Sequence, residues 1–271
     1  TTSSAPGEPI LRHAAQIEYR DAVLSYEYAE IARDERGQPV WRHATNRAIR
    51  SDLSPPHTPE PYIEVNRYHG AGPATWPPAE YIVGNPPFIG NKRMRAALGD
   101  GYVDALRNAW PKVPESADFV MYWWYKAGIL LSKDDIRGFG LVTTSSITQT
   151  FNRKIIHDFI SDIKKPISIV FTSPNHPWVD DGAAVRIAMT SLKRGTLSGI
   201  SAEPLETEHG VEKYSFRYGR INSDLTVGPD TTSAIQLHAN QGLSHQGVIL
   251  IGEGFRIPTE HLVKFKNTAS E

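Results

Sequence analysis

The stretch YIVGNPPFIGNKRMR, residues 81–95, decides how the chain is read. An apolar, β-branched run, AEYIVG, has the character of a short buried strand and ends directly in Asn-Pro-Pro-Phe. At a strand end those four residues offer a defined chemistry. The Asn85 side-chain oxygen is a hydrogen-bond acceptor. Pro86 has a carbonyl whose direction its ring-fixed φ limits. Pro87 holds Pro86 extended, because a residue that precedes proline is pushed out of the helical region. The result is two acceptors on a stiff arc, followed by the π-face of Phe88. A plain turn is the alternative reading, since Asn and Pro are common turn residues.

Outward from this stretch the chain alternates. SADFVMYWWYKAGILLS, residues 116–132, is apolar almost all round and long enough for a buried helix, with Ser116 as its expected N-cap and Asp118 in the first turn. GFGLVTTSS reads as the next buried strand, FNRKIIHDFISDI as an amphipathic helix and ISIVFTS as another strand. PNHPWVDDG reads as a Pro-rich loop and AAVRIAMTSL as a long final strand. Alternation of this kind predicts an α/β fold with a mainly parallel sheet. In open α/β sheets ligands bind at the carboxyl ends of the strands, which is where Asn85 falls.

On the N-terminal side, IEYRDAVLSYEYAEI (17–31) has strand-like residues before Asp21 and mixed periodicity after it. Residues 33–79 are polar and rich in Pro and His, a long excursion with one hairpin. From about Gly195 helical periodicity fades, which predicts a boundary there: 1–195 as one unit, 196–271 as a mainly β or irregular remainder.

The bulk composition is that of a globular protein. Of 271 residues 39% are hydrophobic and 22% charged, and the net charge is -1, so any nucleic-acid contact must come from local clusters. Lys92, Arg93 and Arg95, with Arg153 and Lys154, are the candidates for phosphate contacts; a solvated surface is the alternative. The absence of cysteine excludes disulfides and Cys-type metal sites and suits a reducing cytosol. The His residues show no metal-ligand spacing, so no metal site is expected. No apolar run reaches membrane-spanning length. Ser145 and Ser146 lack the elbow motif of a hydrolase. The termini, TTSSAPGEP and KFKNTASE, suggest a piece of a longer protein.

NPPF after a strand resembles the catalytic motif of amino-methylating, S-adenosylmethionine-dependent DNA methyltransferases. The wider stretch YIVGNPPFIGNKRMR…LGDGYVDAL…AW…SADFVMYWWYKA…GFGLVTTSSI is similar to one branch of the N6-adenine enzymes, the large single-chain type II restriction–modification and phage-defence methylases. With gaps, the similarity runs from about residue 17 to about residue 257. It implies an incomplete Rossmann-like methyltransferase sheet followed by the start of a β-rich target-recognition region. It implies that Asn85 and the Pro86 carbonyl bind the target amino group, with Pro87 stiffening the arc and Phe88 stacking on a flipped adenine. Asp118 and Phe119 would shape the donor and base pocket, and Asp21 would meet the donor's adenine amine. Trp178 would pack against the base from the other side, or anchor its loop. The implied cofactor is S-adenosylmethionine, the implied partners are double-stranded DNA and the rest of the polypeptide or a defence complex, and the implied setting is a prokaryotic cytoplasm.

The family's glycine-rich donor loop has no counterpart before Asp21. ILIGEGF (249–255) contains a Gly-x-Gly, but FRIPTEH follows it and Pro258 argues against a helix there. The expected activity is adenine-N6 methylation. A non-catalytic DNA-binding or scaffold piece, or methylation of cytosine N4, RNA or protein Gln, are the alternatives.

Overall fold

A computed structural model describes residues 17–43, 62–180, 183–207, 210–230 and 242. The chain divides into two compact units, Thr1–Pro229 and Asp230–Glu271. The Gly-x-Gly at 249–255 lies outside the described residues.

Among the described residues the first element of this unit is a two-residue strand, β1 (Leu24–Ser25), and a long excursion follows. β2 (Tyr28–Ile31), β3 (Trp41–His43), β4 (Tyr62–Glu64) and β5 (Asn66–His69) pair antiparallel as β2–β5 and β3–β4. They form one extended hairpin, stitched where Ala32 donates to Val65 O and Val65 to Val40 O. This matches the hairpin expected in the polar segment. β6 (Gly72–Pro73) returns to pair with β1.

β7 (Tyr81–Gly84) is the strand that precedes Asn85. Two helices follow, α1 (Asn91–Leu98) and α2 (Asp100–Ala109), separated by Gly99 at φ 89°, a backbone state that glycine adopts without strain. The buried helix expected from the sequence is α3 (Val120–Ser132). Ser116 is not its cap: the chain enters through short-range turns in which Met121 donates to Asp118 O and Tyr122 to Phe119 O. β8 (Gly138–Thr144), a 3-10 turn (Ser145–Thr148) and α4 (Thr150–Ile160) come next. The chain then forms β9 (Ile167–Asp180), β10 (Ala183–Arg194), β11 (Gly199–Thr207) and β12 (Gly210–Gly219).

The α/β class is as expected. The main sheet is mixed, in the order β12-β11-β9-β10-β8-β7. β7–β8 and β9–β11 run parallel, whereas β10 is antiparallel to both β8 and β9, and β12 to β11. The expected loop PNHPWVDDG is strand through Asp180, because β9 and β10 are the arms of one long hairpin. The Asp-Gly dipeptide at 181–182, between two apolar runs, is the sequence signal that identifies this hairpin. β11 and β12, which follow residue 195, belong to the same sheet.

α3 and α4 pack on the face that presents Phe139, Leu141, Ile169 and Leu192. Trp124 is fully buried there, edge-on to Phe139 with ring centroids 5.3 Å apart. The opposite face carries one row across all six strands, Val83–Gly140–Ser191–Phe171–Ile200–Tyr218. Its ends are open, with Val83 86% and Tyr218 72% exposed, and Val83 also lies on the edge strand. Among the described residues no helix is long and apolar enough to cross a membrane.

Candidate active site

β7 and β8 are parallel, so their carboxyl ends share one rim of the sheet, and the Asn85–Phe88 arc leaves from that rim. Pro86 is buried and anchors the arc, while Asn85, Pro87 and Phe88 are exposed. Among the described residues no protein partner meets the Asn85 side chain or the Pro86 carbonyl, although Pro87 O accepts from Ile89 N at 3.2 Å. Phe88 is 37% exposed and stacks on no other ring among the described residues. Of the residues singled out in the sequence, Asn85 and Phe88 are thus exposed, and Pro86 is buried with its carbonyl unpartnered among the described residues.

The arc separates two hollows. One, of about 430 Å³, is lined by Asn85, Pro86 and Pro87 together with Trp76, Trp123 and Leu141. The other, of about 700 Å³, is lined by Phe88, Lys92, Arg93, Asp118, Gln149 and Phe151 among others. Phe151, in the first turn of α4 and 54% exposed, gives the second hollow another aromatic wall. Sequence reasoning passed over it because an aromatic at the start of an amphipathic helix looks like core.

The expected basic cluster divides. Lys92 and Arg93 are exposed and line the second hollow. Arg95 instead points to α2, with its guanidinium 3.1 Å from Asp100 and 2.7 Å from Asp104. These bonds hold it firmly protonated. Arg95 is thus a strut between α1 and α2, drawn away from the hollow by two carboxylates of the neighbouring helix. Lys154 lines a separate hollow with Lys112, Asp158 and Lys165.

The three residues expected to hold a donor are tied into the scaffold. Asp21 stands in irregular chain before β1, not at a strand end. Its Oδ1 accepts from Val23 N (2.8 Å) and Leu24 N (2.9 Å), and its Oδ2 from the Tyr102 hydroxyl (2.6 Å). Burial, and then this bond, push the Tyr102 phenol far up from its ordinary range. Phe119 is buried edge-on against Trp123, with centroids 4.8 Å apart. The Asp118 carboxylate accepts from Asn91 N (2.9 Å), Ser146 Oγ (2.6 Å) and Asn152 Nδ2 (2.8 Å).

Trp178 lies in β9, paired with Val185, and is 48% exposed. Thr144, the last residue of β8, pairs with Ile187, so Trp178 projects two residues beyond the rim from which the arc leaves. It shares that end of the sheet with Asn85 but lines neither hollow.

Buried Lys126, on α3, packs against Trp76, which lines the first hollow. It donates to Ala74 O and lies over the Trp76 ring, 4.4 Å from its centroid, while the indole of Trp76 donates to Ala22 O at 2.7 Å. Burial pushes its ammonium down to about 8.

Comparison with known proteins bears on this geometry. The family of MmeI DNA-methyltransferase domains matches residues 11–198, about two thirds of the chain. Among solved structures, the Type IIL restriction-modification enzyme MmeI in complex with DNA is similar at 23% identity and a TM-score of 0.45, over 56% of this chain and 20% of that one. A modification subunit assigned to a type I restriction enzyme of Vibrio vulnificus YJ016 is similar at 13% identity and a TM-score of 0.34, over 48% of this chain and 26% of that one. The chain thus spans about a fifth to a quarter of the length of these two structures. No curated protein matches it. The match over residues 11–198 includes the arc, both helices behind it and the strands that carry them, and on that match the chain belongs to the MmeI DNA-methyltransferase domain family.

Proposed function

We propose that this chain carries the catalytic part of a restriction–modification methyltransferase that moves a methyl group to N6 of an adenine flipped out of duplex DNA. One observation carries the reading: among the described residues the Asn85 side chain and the Pro86 carbonyl are two acceptors without protein partners, at a parallel-strand end, beside the exposed ring of Phe88.

The chemistry follows from that arc. The adenine amino nitrogen is a poor nucleophile because its lone pair is delocalised into the ring. Acceptors at Asn85 and Pro86 draw on its two hydrogens, favour a tetrahedral nitrogen and localise the lone pair. Phe88 holds the plane of the base by stacking, as expected for an enzyme that takes its base out of the helix. Catalysis is then positioning and preorganised dipoles, with no metal required. S-adenosylmethionine would supply an activated methyl group on sulfonium. The described residues fit such a donor only in part. The first hollow offers an apolar, aromatic wall beside the arc, but the carboxylates of Asp21 and Asp118 are engaged by the protein. We assign the donor's polar contacts to a strand and glycine-rich loop added at the free edge of β7. The place of β7 at the end of the strand order among the described residues, with Val83 86% exposed, supports this docking.

The test is transfer of labelled methyl from S-adenosylmethionine to duplex DNA by the full-length protein, followed by nucleoside analysis. The reading requires N6-methyladenine, and a loss of about 100-fold or more in Asn85→Ala with the fold intact. Transfer to RNA or to cytosine instead would move the assignment to another amino acceptor. No transfer to any nucleic acid would leave a binding or scaffold role.

A further inference from the structure

We infer that Asp118 is a positioning residue, not a ligand of the methyl donor: it fixes the chain just after the arc and so sets the direction in which Asn85, Pro86 and Phe88 face their substrate. The inference rests on the proposed role of the arc.

The arc continues through Ile89 and Gly90 into α1, whose first turn has orphan N–H groups that a cap must satisfy. Gly90, at the cap position, has no side chain to do so. Asp118, 27 residues after Asn91, takes over: its Oδ1 accepts from Asn91 N at 2.9 Å. The adjacent Phe119 N donates to Ile89 O, also at 2.9 Å. Two successive residues of one segment thus grip the chain at 89 and 91. With the Ile89 N to Pro87 O bond, the backbone from 87 to 91 is held at three points.

The other side of Asp118 is held as firmly. Oδ2 accepts from Ser146 Oγ in the 3-10 turn after β8 and from Asn152 Nδ2 in α4. Asn152 is buried; its Oδ1 accepts from Asp118 N at 2.9 Å, and its Nδ2 also donates to Ser146 O at 2.9 Å. Asp118 therefore joins the carboxyl end of β8 and the start of α4 to the arc that leaves β7. The rim of the sheet becomes one hydrogen-bonded frame.

The frame requires a carboxylate. Donors approach both oxygens, so an amide at this position turns its NH₂ group toward a donor on one side or the other. Hydrogen bonds to a charged acceptor are also stronger than neutral ones. Asp118→Asn keeps the shape and breaks the pattern.

The experiment uses the full-length protein with Asp118→Asn, and Ser146→Ala as a second variant. Amide hydrogen exchange at Asn91 and Phe119 is read together with kcat and the KM for S-adenosylmethionine. The expected result is faster exchange at Asn91 and a fall in kcat of about 10- to 100-fold with donor KM held within about twofold, since a misplacement of about 1 Å at a reacting centre costs that much. A rise in donor KM at unchanged kcat would make Asp118 a donor ligand and overturn the inference. Faster exchange with unchanged kcat would overturn it as well. If Asp118→Asn does not fold, Ser146→Ala decides: a smaller fall in kcat at constant donor KM supports the frame, and unchanged kcat sinks it. A wild-type protein that transfers no methyl group refutes the proposed activity instead. Exchange at Asn91 still reports whether Asp118 holds the arc.

Discussion

The ammonium of Lys126 lies 4.4 Å from the centroid of Trp76, and its hydrogen-bond acceptor is the carbonyl of Ala74 rather than a carboxylate. Only 6% of Lys126 is exposed, so burial makes the charged form costly and its pKa falls from 10.5 to about 8.

Stability should therefore depend on this one lysine. Between about pH 8 and 10.5 the unfolded chain holds a proton that the folded protein has released, so the lysine's penalty fades as pH rises through that window. Lys126→Met, which keeps the stem and removes the charge, should stabilise the protein at pH 7 by roughly 2 kcal/mol, allowing for the lost hydrogen bond and ring contact. The difference in thermal midpoint between wild type and variant should shrink toward pH 10. A constant difference across the window would mean that Lys126 is not the group that titrates.

The divided basic cluster predicts two phenotypes. Lys92→Ala and Arg93→Ala should each weaken duplex binding and reduce the slope of log affinity against log salt by about 0.9 if each meets one phosphate. Arg95→Ala should leave that slope alone and lower the thermal midpoint instead, because its partners are Asp100 and Asp104. Fluorescence anisotropy over a salt series, beside melting curves, separates the two.

Phe88 and Phe151 wall the same hollow, and both are exposed. With 2-aminopurine at the target position, the wild-type complex should show the fluorescence change of a base removed from its stack. Phe88→Ala should raise the apparent Kd by about 10-fold or more, the usual scale of one base–aromatic contact. An unchanged Kd and signal in Phe88→Ala would remove the stacking role.

Gly101 tests the seating of α2 on β5. A Cβ there would run into the backbone carbonyl of Asn66. Helix propensity alone favours Gly101→Ala by about 1 kcal/mol, so a fall in stability of about 2 kcal/mol, measured by denaturant unfolding, would show that the contact outweighs it. A stabilised variant would show that the helix sits farther from β5.

Much of the architecture is local and was legible. The strand before Asn85, the all-round apolar α3 and the amphipathic α4 each follow from residues within a few turns of one another. So does the arc, because proline ring geometry restrains the backbone whatever surrounds it. The strand was expected to be buried, however, and instead lies at the sheet edge with Tyr81 and Val83 exposed. The β9 hairpin was missed although its Asp-Gly signal was present, since the prolines at 174 and 177 suggested a loop.

What the sequence by itself determined is the chemistry on offer at residues 85–88: two acceptors and a ring in a fixed order at a strand end. What only the tertiary structure decided is who uses the remaining polar groups. Asp21 is bound by a tyrosine 81 residues away, Asp118 by groups 27 to 34 residues away on either side, and Arg95 by the neighbouring helix. Each of those side chains carries the same charge in the sequence whether it faces a ligand or the protein. Its partner is set by chain packing, which brings distant donors within 3 Å or leaves the group open to solvent.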